Sequence, residues 1–330
     1  MSDLALAVFA AETGGHVVRE PKEQGFERFR RSFDAERYRA SLAGKELRFV
    51  GRSDASFPPL LRELHDPPPG LFLRGSAEPQ LLSATAVAIV GARACSSYGC
   101  QVARLLGREL AAAGLVVVSG LARGVDGEAH RGALESGGAT VAVLGCGIDR
   151  DYPAAHSQLG RGICQSGLLV SEYAPGVEPA PWRFPARNRI IAGLACATVI
   201  VEARERSGAL ITADFALEAG REVFAVPGEI TSALSAGTNG LLRVGATPLT
   251  GTHDVFESLG IEAVPPEDPD LGEQATAVLV ALGRQPAAAD ELGRVTGLDA
   301  AALATALAEL ELAGAVVEAD GLYRRVRPPE

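Results

Sequence analysis

Val87-Ala88-Ile89-Val90-Gly91-Ala92-Arg93-Ala94-Cys95-Ser96-Ser97-Tyr98-Gly99 joins an unbroken apolar run to a glycine turn and then to a pair of serines. Four apolar residues in a row lack the alternation of a half-exposed strand, so this run is expected to be a strand covered on both faces. Gly91 lets the backbone turn tightly, and Ser96 or Ser97 can cap the helix that follows. The design recurs along the chain. Apolar runs at 87–90, 115–118, 140–144, 168–171, 198–201 and 222–226 read as strands, with helices near 98–113, 125–136, 153–166, 187–195 and 209–220. This alternation specifies an α/β fold with a doubly wound parallel sheet. In such sheets ligands bind outside the carboxyl ends of the strands, where turns enter helices.

Outward from this core the composition changes. The 330 residues, 47% of them hydrophobic, suffice for two or three domains. Residues 1–45 read as a small N-terminal helical region, with an apolar helix at 3–11 and a charged stretch rich in Arg and Phe at 19–40; residues 46–262 hold the α/β domain. Proline and acids crowd 263–272, which reads as a linker. Beyond it, 273–330 offers helices at 273–283, 287–294 and 299–313 and a hairpin at 315–326, the order of a winged-helix domain. Neither a signal peptide nor an apolar run of the roughly 20 residues needed for a membrane span is evident, so a cytoplasmic protein is expected. The five cysteines form no CxxC pair and read as reduced core thiols.

The net charge of -10 is uneven. Residues 1–80 carry 12 basic and 12 acidic side chains, residues 81–262 carry 14 and 17, and residues 263–330 carry 5 and 12. The acidic tail therefore argues that the winged helix contacts protein or only packs, rather than gripping phosphates. Lys22 and Lys45 are the only lysines, so any anion site in the core is built from arginine and backbone amides.

Three further turns resemble the first in design: Ser119-Gly120-Leu121-Ala122-Arg123-Gly124-Val125-Asp126, Leu144-Gly145-Cys146-Gly147, and Glu205-Arg206-Ser207-Gly208-Ala209-Leu210-Ile211-Thr212. Helix amino termini at such turns favour anions, although tight turns also need glycine for packing alone. No GxGxxG follows the first strand, and a Walker A loop is impossible without a lysine after residue 45. No cofactor is expected. In Pro179-Ala180-Pro181-Trp182-Arg183-Phe184-Pro185-Ala186-Arg187-Asn188-Arg189, two aromatics sit among three arginines. Aromatic faces stack on unpaired bases while guanidiniums hold the backbone. The alternative is that Trp182 and Phe184 pack under the loop and the arginines pair with acids such as Glu172 and Glu202.

Catalytic signals are thin. HExxH, GxSxG and Cys/His metal spacings are absent from the sequence. Asp126 and His130 share a helix face and could form an acid/base pair or a local helix interaction. Asp149, Asp151 and His156 could suggest a metal, or a solvated loop around Tyr152-Pro153. The expectation is no catalytic residue, no metal and no enzyme. A nucleotide hydrolase would be the rival reading, but Pro227-Gly228-Glu229 and Gly237-Thr238-Asn239-Gly240 do not reproduce the PGGxGT-type loop of those enzymes. A second rival is an interaction protein whose core is only a scaffold.

At several linked motifs the sequence resembles the DNA-processing protein A (DprA/Smf) family. These are Phe57-Pro58-Pro59-Leu60-Leu61, Asp66-Pro67-Pro68, Val90-Gly91-Ala92-Arg93 with Ser96 to Gly99, Val118 to Asp126, Tyr152-Pro153, Phe184 to Gly193, Val201-Glu202-Ala203, Ser207 to Thr212 and Gly220 to Gly228. The resemblance covers roughly residues 57–257. It implies an extended Rossmann-like core that dimerises, binds and protects single-stranded DNA, and loads the RecA recombinase on it in natural transformation and recombination. It also implies strand contacts from Arg93, Phe184, Arg187 and Arg189, a basic residue at Arg123, and a pocket floor at Ser207 and Gly208. With the turn residues, the expected binding set is Arg93, Ser96, Ser119, Gly120, Arg123, Gly124, Gly145, Arg183, Phe184, Arg187, Asn188, Arg189, Ser207, Gly208 and Thr212. Two departures stand out. Ala154-Ala155-His156 replaces the lysine and asparagine common after Tyr-Pro, with Arg183 in partial compensation, and residues 1–45 do not match the usual helix-hairpin-helix-like unit.

Overall fold

The computed structural model describes residues 3–13, 24–262, 271–283, 285–319 and 321–325. Each of the six apolar runs forms a strand. In chain order the strands are β1 (Leu47–Gly51), β2 (Gly70–Arg74), β3 (Ala86–Val90), β4 (Val116–Ser119), β5 (Thr140–Val143), β6 (Leu168–Ser171), β7 (Ala197–Ile200), β8 (Glu222–Ala225) and β9 (Thr247–Pro248). They form one sheet in the order β1-β2-β6-β5-β4-β3-β7-β8-β9. From β3 the chain winds outward through β4, β5 and β6, then crosses back to add β7, β8 and β9 on the other side of β3, all parallel. The winding reverses between β3 and β7, which makes that junction the topological switch point. One edge differs from the all-parallel expectation, because β2 pairs antiparallel with β6 and β1 antiparallel with β2.

The helices of this unit are α1 (Asp3–Thr13), α2 (Gln24–Ser32), α3 (Ala35–Ala43), α4 (Pro59–Arg62), α5 (Ser97–Ala112), α6 (Val125–Glu135), α7 (Ser157–Ser166), α8 (Arg183–Leu194), α9 (Gly208–Glu218), α10 (Ala236–Arg243) and α11 (Thr252–Ser258). Successive strand residues point to opposite faces. Val87 and Val117 accordingly pack with Leu106 and Leu110 of α5 and Ala129 and Ala133 of α6. Their neighbours Ala88 and Val118 pack with Ile190 and Ile191 of α8 and Ala213 and Ala216 of α9. Both faces are covered, which is why these runs carry no polar alternation. Leu4 and Val8 of α1 pack with Phe49 and Phe72 of the antiparallel edge, while residues 14–23, with part of the charged stretch, lie outside the described residues.

Inside this unit His130 is fully buried and hydrogen-bonded through Nδ1 to Thr140 Oγ1 at 2.7 Å. The Thr140 hydroxyl donates to the Val117 carbonyl at 2.7 Å, so Nδ1 is the donor of the pair. Of the five cysteines, Cys146 is buried and the others half-buried, so the core-thiol reading holds in full only at Cys146.

The chain divides into two compact units, Met1–Val264 and Pro265–Glu330. Residues 263–270, most of the expected linker, are outside the described residues. The second unit contains α12 (Glu273–Leu282), β10 (Ala287–Ala288), α13 (Ala289–Thr296), α14 (Ala300–Leu312), β11 (Val316–Ala319) and β12 (Leu322–Arg325), with a three-stranded sheet in the order β10-β12-β11. This is the winged helix. Asp299 caps α14 by accepting from Ala302 N at 2.8 Å, and Val278, Leu292, Leu303, Leu307 and Leu310 fill the core. The third helix, α14, carries Glu309 and Glu311 and no basic residue. Among the described residues no helix is long and apolar enough to cross a membrane.

Candidate nucleic-acid interface

The turns at the carboxyl ends of β3, β4, β5 and β7 interlock. A β-carbon on Gly91 would sit 2.7 Å from the Val125 side chain, and one on Gly145 would sit 2.8 Å from the Phe184 ring. Gly124, at φ +75°, brings its backbone against the Ala92 carbonyl, which no side chain would allow. Packing accounts for these glycines without any ligand.

The helix termini behave differently from one another. Ser96 caps α5 by accepting from Gly99 N at 3.1 Å, but the buried Glu202 carboxylate already fills that terminus, taking Ser96 N–H at 2.9 Å and Ser96 Oγ–H at 2.5 Å. At α6, Asp126 Oδ2 accepts from Ala122 N at 3.2 Å. The start of α9 is open: Ser207 caps it by accepting from Ala209 N at 3.3 Å, and a β-carbon on Gly208 would meet nothing within 4 Å. Of these three turns, the one entering α9 alone has no carboxylate bonded at it among the described residues.

Two adjoining cavities, of about 220 and 200 Å³, open at the switch point. The first is lined by Gly91, Asp126, Asn188, Ser207, Gly208 and Thr212, the second by Gly120, Arg123, Gly145 and Tyr152, and both by Arg93, Ala122, Phe184 and Arg187. Together they make one groove. Phe184 stacks on Tyr152 with ring centroids 5.3 Å apart and planes at 27°. Arg93 lies over the same Phe184 ring at 5.5 Å, is exposed, and forms no ion pair among the described residues, although Asp126 feels its charge. A guanidinium over one aromatic ring, with a second ring stacked on that aromatic, offers a charged edge to a phosphate and flat surfaces to a base.

Beneath them Arg187 is 4% exposed and tied to the carboxyl ends of β4 and β5. Its Nη1 donates to the carbonyls of Gly120, at 2.7 Å, and Val143, and its Nε to Asn188 Oδ1 at 3.0 Å. Nη2 has Asp126 at 3.9 Å. Burial lowers the Arg187 pKa from its ordinary value; Asp126 opposes that shift and Arg93 adds to it. Burial raises the Asp126 pKa against the pull of Arg187. Asn188 Nδ2 donates to the Gly208 carbonyl at 3.0 Å, fixing α8 to the start of α9.

The other expected residues stand away from the cavities. Arg189 is 5% exposed and pairs with Glu172 through two hydrogen bonds, at 2.7 and 3.2 Å, and with Asp66 at 3.4 Å. Ser119 is fully buried and donates to the Ile89 carbonyl at 2.6 Å. Ser96 serves α5, and Gly124 serves the turn. Arg183 lies over Trp182 at 4.9 Å and Tyr173 at 5.2 Å and donates to the Glu178 carbonyl. Of the groove residues that the expected set omits, which include Gly91, Ala122 and Asp126, Tyr152 is the aromatic one. Its position next to Pro153 was visible, but its stacking on Phe184 depends on where β5 ends and α8 begins.

The residues weighed for catalysis have separate partners. Asp126 serves the Ala122 amide while His130 bonds Thr140. Asp149 accepts from Gly176 N at 2.8 Å, Asp151 pairs with Arg74 at 2.6 Å, and His156 Nδ1 meets the Leu121 carbonyl at 3.0 Å. Among the described residues no group of His, Cys, Asp and Glu is placed to hold a metal ion.

Fold and site together define a class: a Rossmann-like sheet followed by a winged helix, with arginine and aromatic side chains at the switch point where a dinucleotide fingerprint would otherwise lie. The family model for DNA recombination-mediator protein A matches residues 48–260, and that for the DprA winged helix domain matches residues 262–321. The chain belongs to the DNA recombination-mediator protein A family, DprA/Smf. It is 45% identical over 266 residues to the putative DNA processing protein DprA of Mycobacterium tuberculosis, covering 78% of this chain and 68% of the relative. It is 39% identical over 283 residues to protein Smf of Escherichia coli, covering 82% and 75%. Among solved structures, DprA of Streptococcus pneumoniae superposes with a TM-score of 0.66 at 36% identity, covering 77% of this chain and 92% of that one. DNA processing protein A of Helicobacter pylori, whose structure is described for its single-stranded DNA binding mode, superposes with a TM-score of 0.58 at 32% identity, covering 64% and 95%.

Proposed function

We propose that the groove binds single-stranded DNA without altering it chemically, and that the protein protects such strands and loads the RecA recombinase on them in transformation and recombination. The observation that carries this reading is Arg93, exposed and in no ion pair among the described residues, over a Phe184 ring that also stacks with Tyr152. Bases unpaired from a complement present π-faces to stack on, whereas a duplex hides them. The binding mode described for the Helicobacter pylori relative supports the same ligand for this chain. Family membership supports the recombinase partner and a homodimer. The division of labour proposed is strand binding by residues 46–262, with 263–272 as linker and 273–330 contacting protein; the acidic, lysine-free winged helix supports that last assignment.

The test is fluorescence anisotropy of the full chain with a labelled oligo-dT strand and a matched duplex, at two salt concentrations. Preference for the single strand, and weakening with salt as counterions compete, is expected. Binding to neither nucleic acid overturns the reading; a recombinase-dependent strand-exchange assay then decides the loading step separately.

A further inference from the structure

The turn between β7 and α9 carries two arginines outside the expected binding set, Arg204 and Arg206. Both are exposed, and among the described residues neither forms an ion pair. They stand on a rigid base. Ser207 N donates to the Arg204 carbonyl at 3.0 Å, closing the turn, and the residue before it, Ala203, is held on both sides, donating to the Leu234 carbonyl at 2.8 Å and accepting from Gly237 N at 2.7 Å. A β-carbon on Gly237 would come 2.8 Å from the Arg204 carbonyl, so the segment entering α10 presses directly on the turn. A pinned backbone leaves only side-chain freedom to be lost when a ligand binds.

Their place in the sheet gives them a role. β7 lies beside β3, with Ile200 opposite Val90, and β3 lies beside β4. The turns bearing Arg123, Arg93 and the Arg204/Arg206 pair therefore follow one another along the carboxyl edge, at a strand spacing of about 4.8 Å. Ser207 and Gly208, next in sequence, line the cavity that Arg93 also lines. We infer that Arg204 and Arg206 extend the strand path across the switch point, so that a bound strand crosses the ends of β4, β3 and β7 in turn and its phosphates leave the groove over the β7–α9 turn. This rests on the single-strand reading above. Glu205, exposed between the two arginines, opposes the path and sets its strength.

The experiment compares oligo-dT strands of increasing length on the full chain, read by anisotropy and by the emission of Trp182, the only tryptophan. In the wild type, affinity is expected to rise with length until the strand reaches the β7–α9 turn. In Arg204→Ala/Arg206→Ala the increment with length is lost, and the slope of log affinity against log salt for long strands becomes shallower by roughly 0.7 for each lost phosphate contact. Short strands bind as in the wild type, with the same Trp182 response. Arg204→Lys/Arg206→Lys restores the long-strand slope, and Glu205→Gln strengthens long-strand binding at low salt. Wild-type slope and affinity for long strands in the double alanine variant overturn the proposal, as does equal weakening of short and long strands. Failure of the wild type to bind any length instead removes the single-strand reading itself.

Discussion

The guanidinium of Arg187 occupies the space that a β-carbon on Gly120 would need, while its Nη1 donates to the Gly120 carbonyl at 2.7 Å. Neither residue can change alone. Gly120→Ala forces Arg187 out of a buried, hydrogen-bonded position and is expected to destabilise the α/β unit by about 1–3 kcal/mol. Gly208→Ala, on the same edge but facing open space, is expected to leave stability unchanged or raise it by up to about 1 kcal/mol. Urea unfolding followed by Trp182 emission reports on this unit, and equal midpoints for the two variants would sink the account.

Arg93 and Phe184 separate charge from stacking. Arg93→Ala is expected to shift stability by less than about 0.5 kcal/mol, since the side chain is exposed, yet to weaken strand binding and flatten its salt dependence. Phe184→Ala should weaken binding by about 1–3 kcal/mol with the salt slope kept. Anisotropy titrations at several salt concentrations distinguish the two patterns.

Arg189 is held by Glu172 and Asp66. Arg189→Ala leaves the buried Glu172 carboxylate unpaired, beside the half-buried Asp66, and is expected to lower stability by about 3–5 kcal/mol. Replacing both partners, Arg189→Met with Glu172→Leu, should recover much of that loss. A stable Arg189→Ala protein with weakened strand binding would instead place Arg189 at the strand.

Acid sensitivity has an identifiable buried source. Burial pushes His130 from 6.5 down to about 3. Between these values the unfolded chain holds a proton on this ring that the folded protein does not, so its contribution to stability is complete above pH 6.5 and declines as pH falls toward 3. The raised Asp126 acts in the opposite sense above its ordinary value, because the folded state keeps its proton longer. His130→Gln, measured against wild type by thermal unfolding from pH 7 to 4, should show a shallower decline; parallel curves would exclude His130 as the source.

Much of this architecture was legible because burial on both faces writes itself into the sequence: Val87 to Val90 and Val116 to Val118 carry no polar residue at all. The antiparallel edge was not. Leu47–Gly51 and Gly70–Arg74 are short and separated by α4 and its loops, so no hairpin turn announces their pairing. Within the site, the Phe184 and Arg187 segment declared its chemistry through composition. The partners did not, because Glu202 meets Ser96 and Glu172 meets Arg189 only after the sheet has assembled. The alternative in which segment arginines pair with Glu172 and Glu202 is therefore realised for Glu172 alone, with Glu202 committed to α5.

All cationic side chains lining the groove are arginines, Arg93, Arg123 and Arg187, and the chain has no lysine beyond Lys45. Acylating enzymes and amine-directed dyes therefore have no lysine to attach to in the groove lining. Its charge cannot be erased by lysine acetylation, and any covalent control there would have to act on guanidinium groups.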